Sequence, residues 1–462
     1  MLQTRSLSAR DVASLVHPFT EINQHAEVGP MVIDRGEGVY VFDEAGNRYL
    51  EGMAGLWCAS LGFSERRLAE AARRQMERLP AYHLFGGKTY APAVELAERL
   101  LAMAPTPMAR VLFAGSGSEA NDTAIKLVRY YNHVHGRAAK HKVIARARAY
   151  HGVTLAAASL TGLPHVHEHF GLPLDGFLHT DCPHHYRFAH AGESEEAFAS
   201  RLADSLDRLI VREGPDTVAA FIAEPVMGAG GVILPPATYF EKIQEVLHRH
   251  EVLLIVDEVI TGFARTGAMF GAQTCGLRPD LMTLAKGLSA GYAPIGAVLI
   301  SQPVFEALAS GSRQLGTFGH GFTYSGHPLA AAIALETLRI YEEDDICARV
   351  QEVAPRFAGR IIELAAHPLV GHARALGLLG AVELMADGAK RTPFAPCLRV
   401  GARVVEEALK EGVILRPLVD VVSFCPPLII TWQEIDRMFD AVTVALDRVE
   451  AEMAGKADAR VA

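Results

Sequence analysis

Two apolar runs, each short enough to be one buried strand, deliver a charged group at their C-terminal ends. Val252-Leu253-Leu254-Ile255-Val256 runs into Asp257, and Leu281-Met282-Thr283-Leu284-Ala285 runs into Lys286. Burying either charge costs several kcal/mol unless something specific pairs with it. In open α/β sheets ligands sit just outside the carboxyl ends of the strands, which is where both charges would emerge. The chain is therefore read as an α/β protein whose ligand must satisfy a cation and an anion together.

The surrounding pattern agrees. Further strand candidates lie at 111–115, 143–147, 217–223 and 296–301. Between the first two, Ala120, Ala124, Leu127, Val128 and Tyr131 recur at helical spacing, as do Phe240, Ile243, Val246 and Leu247 before Asp257. Alternation of this kind predicts a mainly parallel sheet covered by helices. Near the N-terminus, 39–42 and 48–50 flank a turn-rich Asp43-Glu44-Ala45-Gly46-Asn47, a hairpin signal. After about residue 328 the pattern becomes a long Ala/Leu/Glu helix followed by strand-like runs at 378–384, 412–416 and 421–425. A chain of 462 residues exceeds a single core. The expected division is an N-terminal segment, 1–60, joining a smaller α+β domain at 329–462, with a large domain at 61–328. The last dozen residues are small and polar and are expected to fray.

Pyridoxal phosphate (PLP) answers both charges: its aldehyde condenses with a lysine, and its protonated ring nitrogen pairs with an aspartate. A phosphate cup is also present. Gly115-Ser116-Gly117-Ser118-Glu119-Ala120-Asn121-Asp122 follows a strand and opens a helix, offering close backbone approach, unsatisfied N–H groups and the Ser118 hydroxyl. Ala120 stands where a dinucleotide fingerprint would want its third glycine.

Composition removes other classes. A net charge of −9 argues against nucleic acid or an anionic membrane as partner. Six scattered cysteines, at 58, 182, 275, 347, 397 and 425, form no CxxC and read as thiols in a reducing compartment. Met1 to Thr20 has no apolar core of a signal peptide, and no run is long enough to span a bilayer, so the cytoplasm is the expected location.

Motifs along nearly the whole chain resemble those of the class III, fold-type I, PLP-dependent aminotransferases, and among them the pyruvate-dependent ω-transaminases most. They are Gly36-Glu37-Gly38-Val39-Tyr40, Gly52-Met53-Ala54-Gly55-Leu56-Trp57-Cys58, the 115–122 segment, Tyr150-His151-Gly152, Glu224-Pro225-Val226, Asp257-Glu258-Val259, Lys286-Gly287-Leu288-Ser289, the 320–328 run and Arg416-Pro417. The resemblance implies a homodimer, or a tetramer, with active sites at the interface. It implies that Lys286 holds the cofactor and shuttles the substrate proton, while Asp257 keeps the ring nitrogen protonated. Gly117 and Ser118 would bind the phosphate, joined by Thr323 from the other subunit, and Tyr150 and Val259 would cover the ring. Glu224 and His151 would orient neighbours. Arg416 would grip the keto acid's carboxylate bidentately, and Trp57, Phe19 and Phe85 would wall the donor pocket. Gly86, with Gly87, stands where relatives commonly carry aromatic bulk. This predicts room for larger amines unless a side chain such as Leu418 or Tyr324 fills the space.

The implied reaction is a ping-pong amino transfer from an amine or ω-amino acid to a keto acid, pyruvate leaving as alanine. An aminomutase or racemase would use much the same residues, and a non-catalytic ligand sensor would want a basic domain ahead of residue 17. Three patterns are set aside. Gly287-Leu288-Ser289-Ala290-Gly291 matches the hydrolase elbow, but a strand rather than a helix is expected after it. His165, His167 and His169, like His184-His185, lack metal-site spacing and are read as polar loop or edge segments; no metal is expected.

Overall fold

The computed structural model describes residues 6–454. Residues 1–5, and 455–462 of the tail expected to fray, lie outside the described residues; residues 451–454 belong to a helix, Trp432–Ala454.

Among the described residues fifteen strands form three sheets. They are β1 (Ile33–Glu37), β2 (Tyr40–Asp43), β3 (Arg48–Glu51), β4 (Arg110–Ala114), β5 (Lys142–Arg146), β6 (Phe177–Thr180), β7 (Val218–Ala223), β8 (Leu253–Asp257), β9 (Leu281–Leu284), β10 (Gly296–Ile300), β11 (Val370–Leu376), β12 (Leu379–Leu384), β13 (Val413–Ile414), β14 (Arg416–Leu418) and β15 (Val421–Phe424). The central sheet has the order β4-β10-β9-β8-β7-β5-β6. Its strands are parallel except β10, which runs antiparallel to both β4 and β9. β7 and β9 are buried at every position, the mark of strands covered on both faces by helices. The helices at Gly117–Val134 and Tyr239–Arg249 present their apolar stripes to this sheet, burying Ala120, Ala124, Leu127 and Val128 in one and Phe240, Ile243, Val246 and Leu247 in the other.

The hairpin of β2 and β3 forms where the sequence signals it, with β1 as an unforeseen third strand. β3 pairs in parallel with β13, so the N-terminal segment shares a sheet with the C-terminal part of the chain. The run expected as one strand at 412–416 divides between two sheets: β13 joins β3, and β14 joins β15. Pro417, lacking an N–H, sits on the edge strand β14, where proline is tolerated. β6 and β11 carry polar residues at half-buried positions and gave no alternating signal.

A buried ion pair ties β11 and β12 to the segment around Gly231. Arg374 on β11 donates to Glu383 on β12 at 2.8 Å, and to the carbonyls of Gly231 and Val232 at 3.0 and 2.9 Å. Arg187, from the short helix His185–Phe188, also pairs with Glu383. Burial pushes the Glu383 carboxyl up, but Arg374, His184 and Arg187 outweigh it and hold it near 2. His184 lies in a loop, as expected, yet it is buried 3.5 Å from this carboxylate, and His185 opens a four-residue helix, His185–Phe188. Arg374→Met should destabilise the protein by about 3–5 kcal/mol, because Glu383 loses its best-buried partner. A loss of unfolding free energy of that size in urea titration checks it; no change would mean Arg187 alone suffices.

Candidate active site

The carboxyl ends of β8 and β9 open beside the start of the Gly117–Val134 helix. Asp257, buried, accepts three hydrogen bonds. Asn121 Nδ2 and His151 Nδ1 each reach Oδ2 at 2.8 Å, and the Val259 N–H reaches Oδ1 at 3.0 Å. Asn121 also donates to the His151 carbonyl at 2.7 Å, and the His151 N–H donates to Thr161 Oγ1 at 2.9 Å. The imidazole therefore carries its proton on Nδ1, fixed by the carboxylate. Asn121, one turn into the helix, was not singled out in the sequence; only its place inside the 115–122 segment pointed to it.

Lys286 follows β9 in a left-handed conformation (φ 44°), the chain turning at once into one 3-10 turn, Lys286–Ser289. Its amine makes no hydrogen bond or ion pair among the described residues. Desolvation pushes it below the ordinary lysine value, against the opposing pull of Asp257, Cys58, Glu224 and Cys425. The strand β10 then follows, and Ser289 donates to the Ala293 carbonyl at 2.5 Å, so no hydrolase elbow forms.

The helix start is capped by Ser116, whose Oγ accepts from the Glu119 N–H at 3.2 Å. Gly117 and Ser118 are its first helical residues. A Cβ at Gly117 would lie 3.0 and 3.1 Å from the Val259 methyls, so glycine here permits close approach of the cup to that side chain. Ser118 Oγ accepts from the Val153 N–H at 3.2 Å, joining the cup to the Tyr150-His151-Gly152 turn.

Glu224, at the end of β7, accepts from the Tyr150 N–H at 3.1 Å and the Gly228 N–H at 2.9 Å. Burial raises its carboxyl pKa, against His151. Arg416 lies within electrostatic reach of Tyr150: burial raises the phenol's pKa and Arg416 opposes it, while burial lowers the guanidinium. That guanidinium too has no hydrogen-bonded partner among the described residues. Phe19 lies edge-on to Tyr150, ring centroids 6.5 Å apart. Trp57 is buried in a cluster with Met53, Ile260, Val421 and Cys425, with Leu418 against it.

The chain does not bring every expected residue to this mouth. Thr323 and Phe85 are exposed and share no hydrogen bond, ion pair or ring contact with Lys286 or its neighbours. Phe85 belongs to a second group: it lies against Gly321, and the adjacent His320 bonds Thr123 and Lys126, each at 2.9 Å. Gly86 and Gly87 hold left-handed conformations (φ 63° and 73°), so the backbone itself calls for glycine there. Apart from their chain neighbours, the described residues put only Lys88 Nζ, at 3.4 Å, near a Cβ at Gly86 and nothing within 4 Å of one at Gly87, so neither Leu418 nor Tyr324 comes within 4 Å of either position. His165 and His167 sit on a four-residue helix, Pro164–His167, not an edge or loop; His167 donates to the Ala158 carbonyl at 2.9 Å.

The residues at the mouth fit PLP. An unpartnered amine, a carboxylate aligned by three donors, a glycine-lined helix start and two flanking side chains, Tyr150 and Val259, answer the aldehyde, ring nitrogen, phosphate and ring faces in turn.

Comparison with known proteins agrees. A family model described as "Aminotransferase class-III" matches residues 22–446. The chain is 48% identical over 441 residues to a mitochondrial γ-aminobutyrate transaminase 1 of Oryza sativa subsp. indica, covering 95% of this chain and 86% of that protein. The crystal structure of the ω-transaminase from Pseudomonas jessenii in complex with PMP superposes with a TM-score of 0.95 at 51% identity, covering 96% of this chain and 98% of that one. A transaminase solved with L-Ala superposes with a TM-score of 0.90 at 52% identity, covering 92% and 100%.

Gly117→Ala should push against Val259 and weaken cofactor retention, and Val259→Ala should relieve it. The coupling in a double-mutant cycle, read by equilibrium dialysis of the cofactor, should be about 0.5–3 kcal/mol. Additive effects would separate the two residues.

Proposed function

Given that the chain belongs to the class III aminotransferases, fold-type I enzymes whose cofactor is PLP, we propose that it moves an amino group from an amine or ω-amino acid to a keto acid, pyruvate being the acceptor and alanine its product. The observation that carries the acceptor is Arg416, a half-buried guanidinium without a partner beside Tyr150 at the mouth. Its planar fork suits a carboxylate. The relative solved with L-Ala supports pyruvate, and the γ-aminobutyrate transaminases support an ω-amino acid among the donors.

In this reading Asp257 holds the ring-nitrogen proton, with Asn121 and His151 holding Asp257. Lys286 retains the cofactor and, as a free amine, moves the proton at the substrate carbon; its lowered pKa favours that basic form. Gly117 and Ser118 bind the phosphate, and Tyr150 and Val259 confine the ring. Glu224 holds Tyr150 in place through the backbone and does no chemistry itself. When bound, PLP supplies the aldehyde that takes the amine and the ring that accepts the electron pair left on deprotonation. Thr323, Phe85 and Gly86 act at the site of a partner subunit in a homodimer, a reading supported by their separation from Lys286 in their own chain. The open space at Gly86 and Gly87 supports acceptance of larger amines, with Trp57, Phe19 and Phe85 as walls.

The division into 1–60, 61–328 and 329–462 is supported by the sheet that β3 shares with β13. A cytoplasmic location is supported by six free cysteines; among the described residues no helix is long and apolar enough to cross a membrane.

Lys286→Ala should keep the fold and bind PLP without a covalent link, yet lose transfer by at least about 10²–10⁴-fold. Sustained multiple-turnover alanine formation by this variant would sink the assignment. An aminomutase or racemase would form no alanine from pyruvate in the parent enzyme.

Arg416→Ala should raise the pyruvate KM by about 10–100-fold, the loss of hydrogen bonds to a charged group. The half-reaction with a carboxylate-free amine should be spared. Single-turnover kinetics of the two halves decide it, equal damage marking a structural arginine.

A further inference from the structure

We propose that Asp11, His17 and His25 form a site for a divalent transition-metal ion of the zinc class, and that the ion staples the N-terminal helix pair that carries Phe19. The pair consists of Leu7–Ser14 and Ile22–Val28, and neither helix buries a residue in this chain. Leu15, Val16, Phe19 and Ile22, in and after the connection, are all exposed. Two helices of about two turns with no shared core have little to hold them together, the situation in which small elements rely on a metal or another cross-link.

At the centre of this coreless pair three side chains converge. His17 Nε2 lies 3.1 and 2.9 Å from Asp11 Oδ1 and Oδ2, and His25 Nε2 lies 3.1 Å from the same Oδ2. The two rings are 4.2 Å apart between centroids. One ligand atom from each residue falls within 4.8 Å of the others. A tetrahedral ion with bonds of about 2.0–2.1 Å spaces its ligands by about 3.3 Å, within a few tenths of an ångström of the 2.9 and 3.1 Å contacts that Asp11 Oδ2 makes with the two rings. Two imidazoles and one carboxylate select zinc, cobalt or nickel over magnesium or calcium, which want oxygen. Exposures of 14% and 13% for the Asp11 and His25 side chains, and 33% for His17, leave a side open for a water as fourth ligand.

Two other groups of this kind occur among the described residues, and both are poorer. At His184, His372 and Glu383 the Arg374 guanidinium already lies 2.9 Å from His372 and 2.8 Å from Glu383, excluding a second cation. At His367, Asp447 and Glu450 one carboxylate is 65% exposed and the contacts are 3.4 and 3.5 Å. The N-terminal site also has a consequence. Phe19 lies two residues after His17, its ring 6.5 Å from Tyr150 and 6.1 Å from His165, so a metal staple would fix one wall of the mouth. That consequence rests on the function proposed above; the metal site does not.

The test is equilibrium dialysis of chelator-treated holoenzyme against Zn²⁺, with metal measured by mass spectrometry and hydrogen exchange followed over residues 7–28. We expect one equivalent per chain and slower exchange in that segment. The His17→Ala/His25→Ala double variant should lose both effects, as should Asp11→Asn, which keeps the side-chain shape. His367→Gln should keep both. Failure of the parent protein to bind, or an undiminished equivalent in the double variant, would overturn the site, leaving a hydrogen-bonded clip only. Neither readout depends on transfer activity, so this failure is distinguishable from failure of the proposed reaction.

Discussion

Burying the Asp257 carboxylate at the end of β8 requires donors, and the chain supplies them from three segments. Asn121 comes from the helix after β4, His151 from the turn after β5, and the Val259 N–H from the turn after β8 itself. Each segment has a second duty at the mouth. The helix begins with Gly117 and Ser118, the turn carries Tyr150, and Val259 abuts Gly117. Positioning one charge thus positions the glycine-serine helix start, Tyr150 and Val259 together. The cost of leaving a buried carboxylate unpaired, several kcal/mol, makes that arrangement hard to loosen piecemeal.

Much of this was legible in the sequence because it depended on local rules. A fully buried strand reads as an unbroken apolar run, so β7, β8, β9 and β10 were found to within a residue or so at each end, and their terminal charges stood out. Other features depended on tertiary context. β11 and β6 mix polar and apolar residues, and Arg374 on β11 reads as a surface arginine until Glu383 is known to face it. The run at 412–416 reads as one strand because nothing local reveals that Leu415 is the crossing point between two sheets. The burial of the loop residue His184 against Glu383 is hidden for the same reason. Asn121 was hidden differently: an amide inside a glycine-serine segment reads as part of the turn, and only its 2.8 Å bond to Asp257 reveals its work.

The glycines at 86 and 87 teach a related point. Compared with aromatic-bearing relatives they read as missing bulk. Their left-handed backbone supplies an independent reason for glycine, since a side chain there costs roughly 1–2 kcal/mol. Openness and backbone requirement coexist at one position. Introducing a phenylalanine at Gly86 would therefore mix backbone strain with added bulk.

Adjacent acids at the end of β8 show how the fold divides labour. Asp257 points into the mouth and takes donors from the residues that line it. Glu258, one residue on, faces the other way. It is wholly buried and accepts from Thr261 Oγ1 at 2.5 Å, the Gly271 N–H at 3.0 Å and the Ala272 N–H at 2.5 Å. Burial pushes its carboxyl up to about 7, against those same bonds. Its partners belong to the loop and short helix that follow β8, so it fastens backbone where Asp257 organises side chains. Alternation along a strand, a period of two, sends neighbouring carboxylates to opposite faces. The same alternation lets a single strand end serve chemistry on one side and structure on the other.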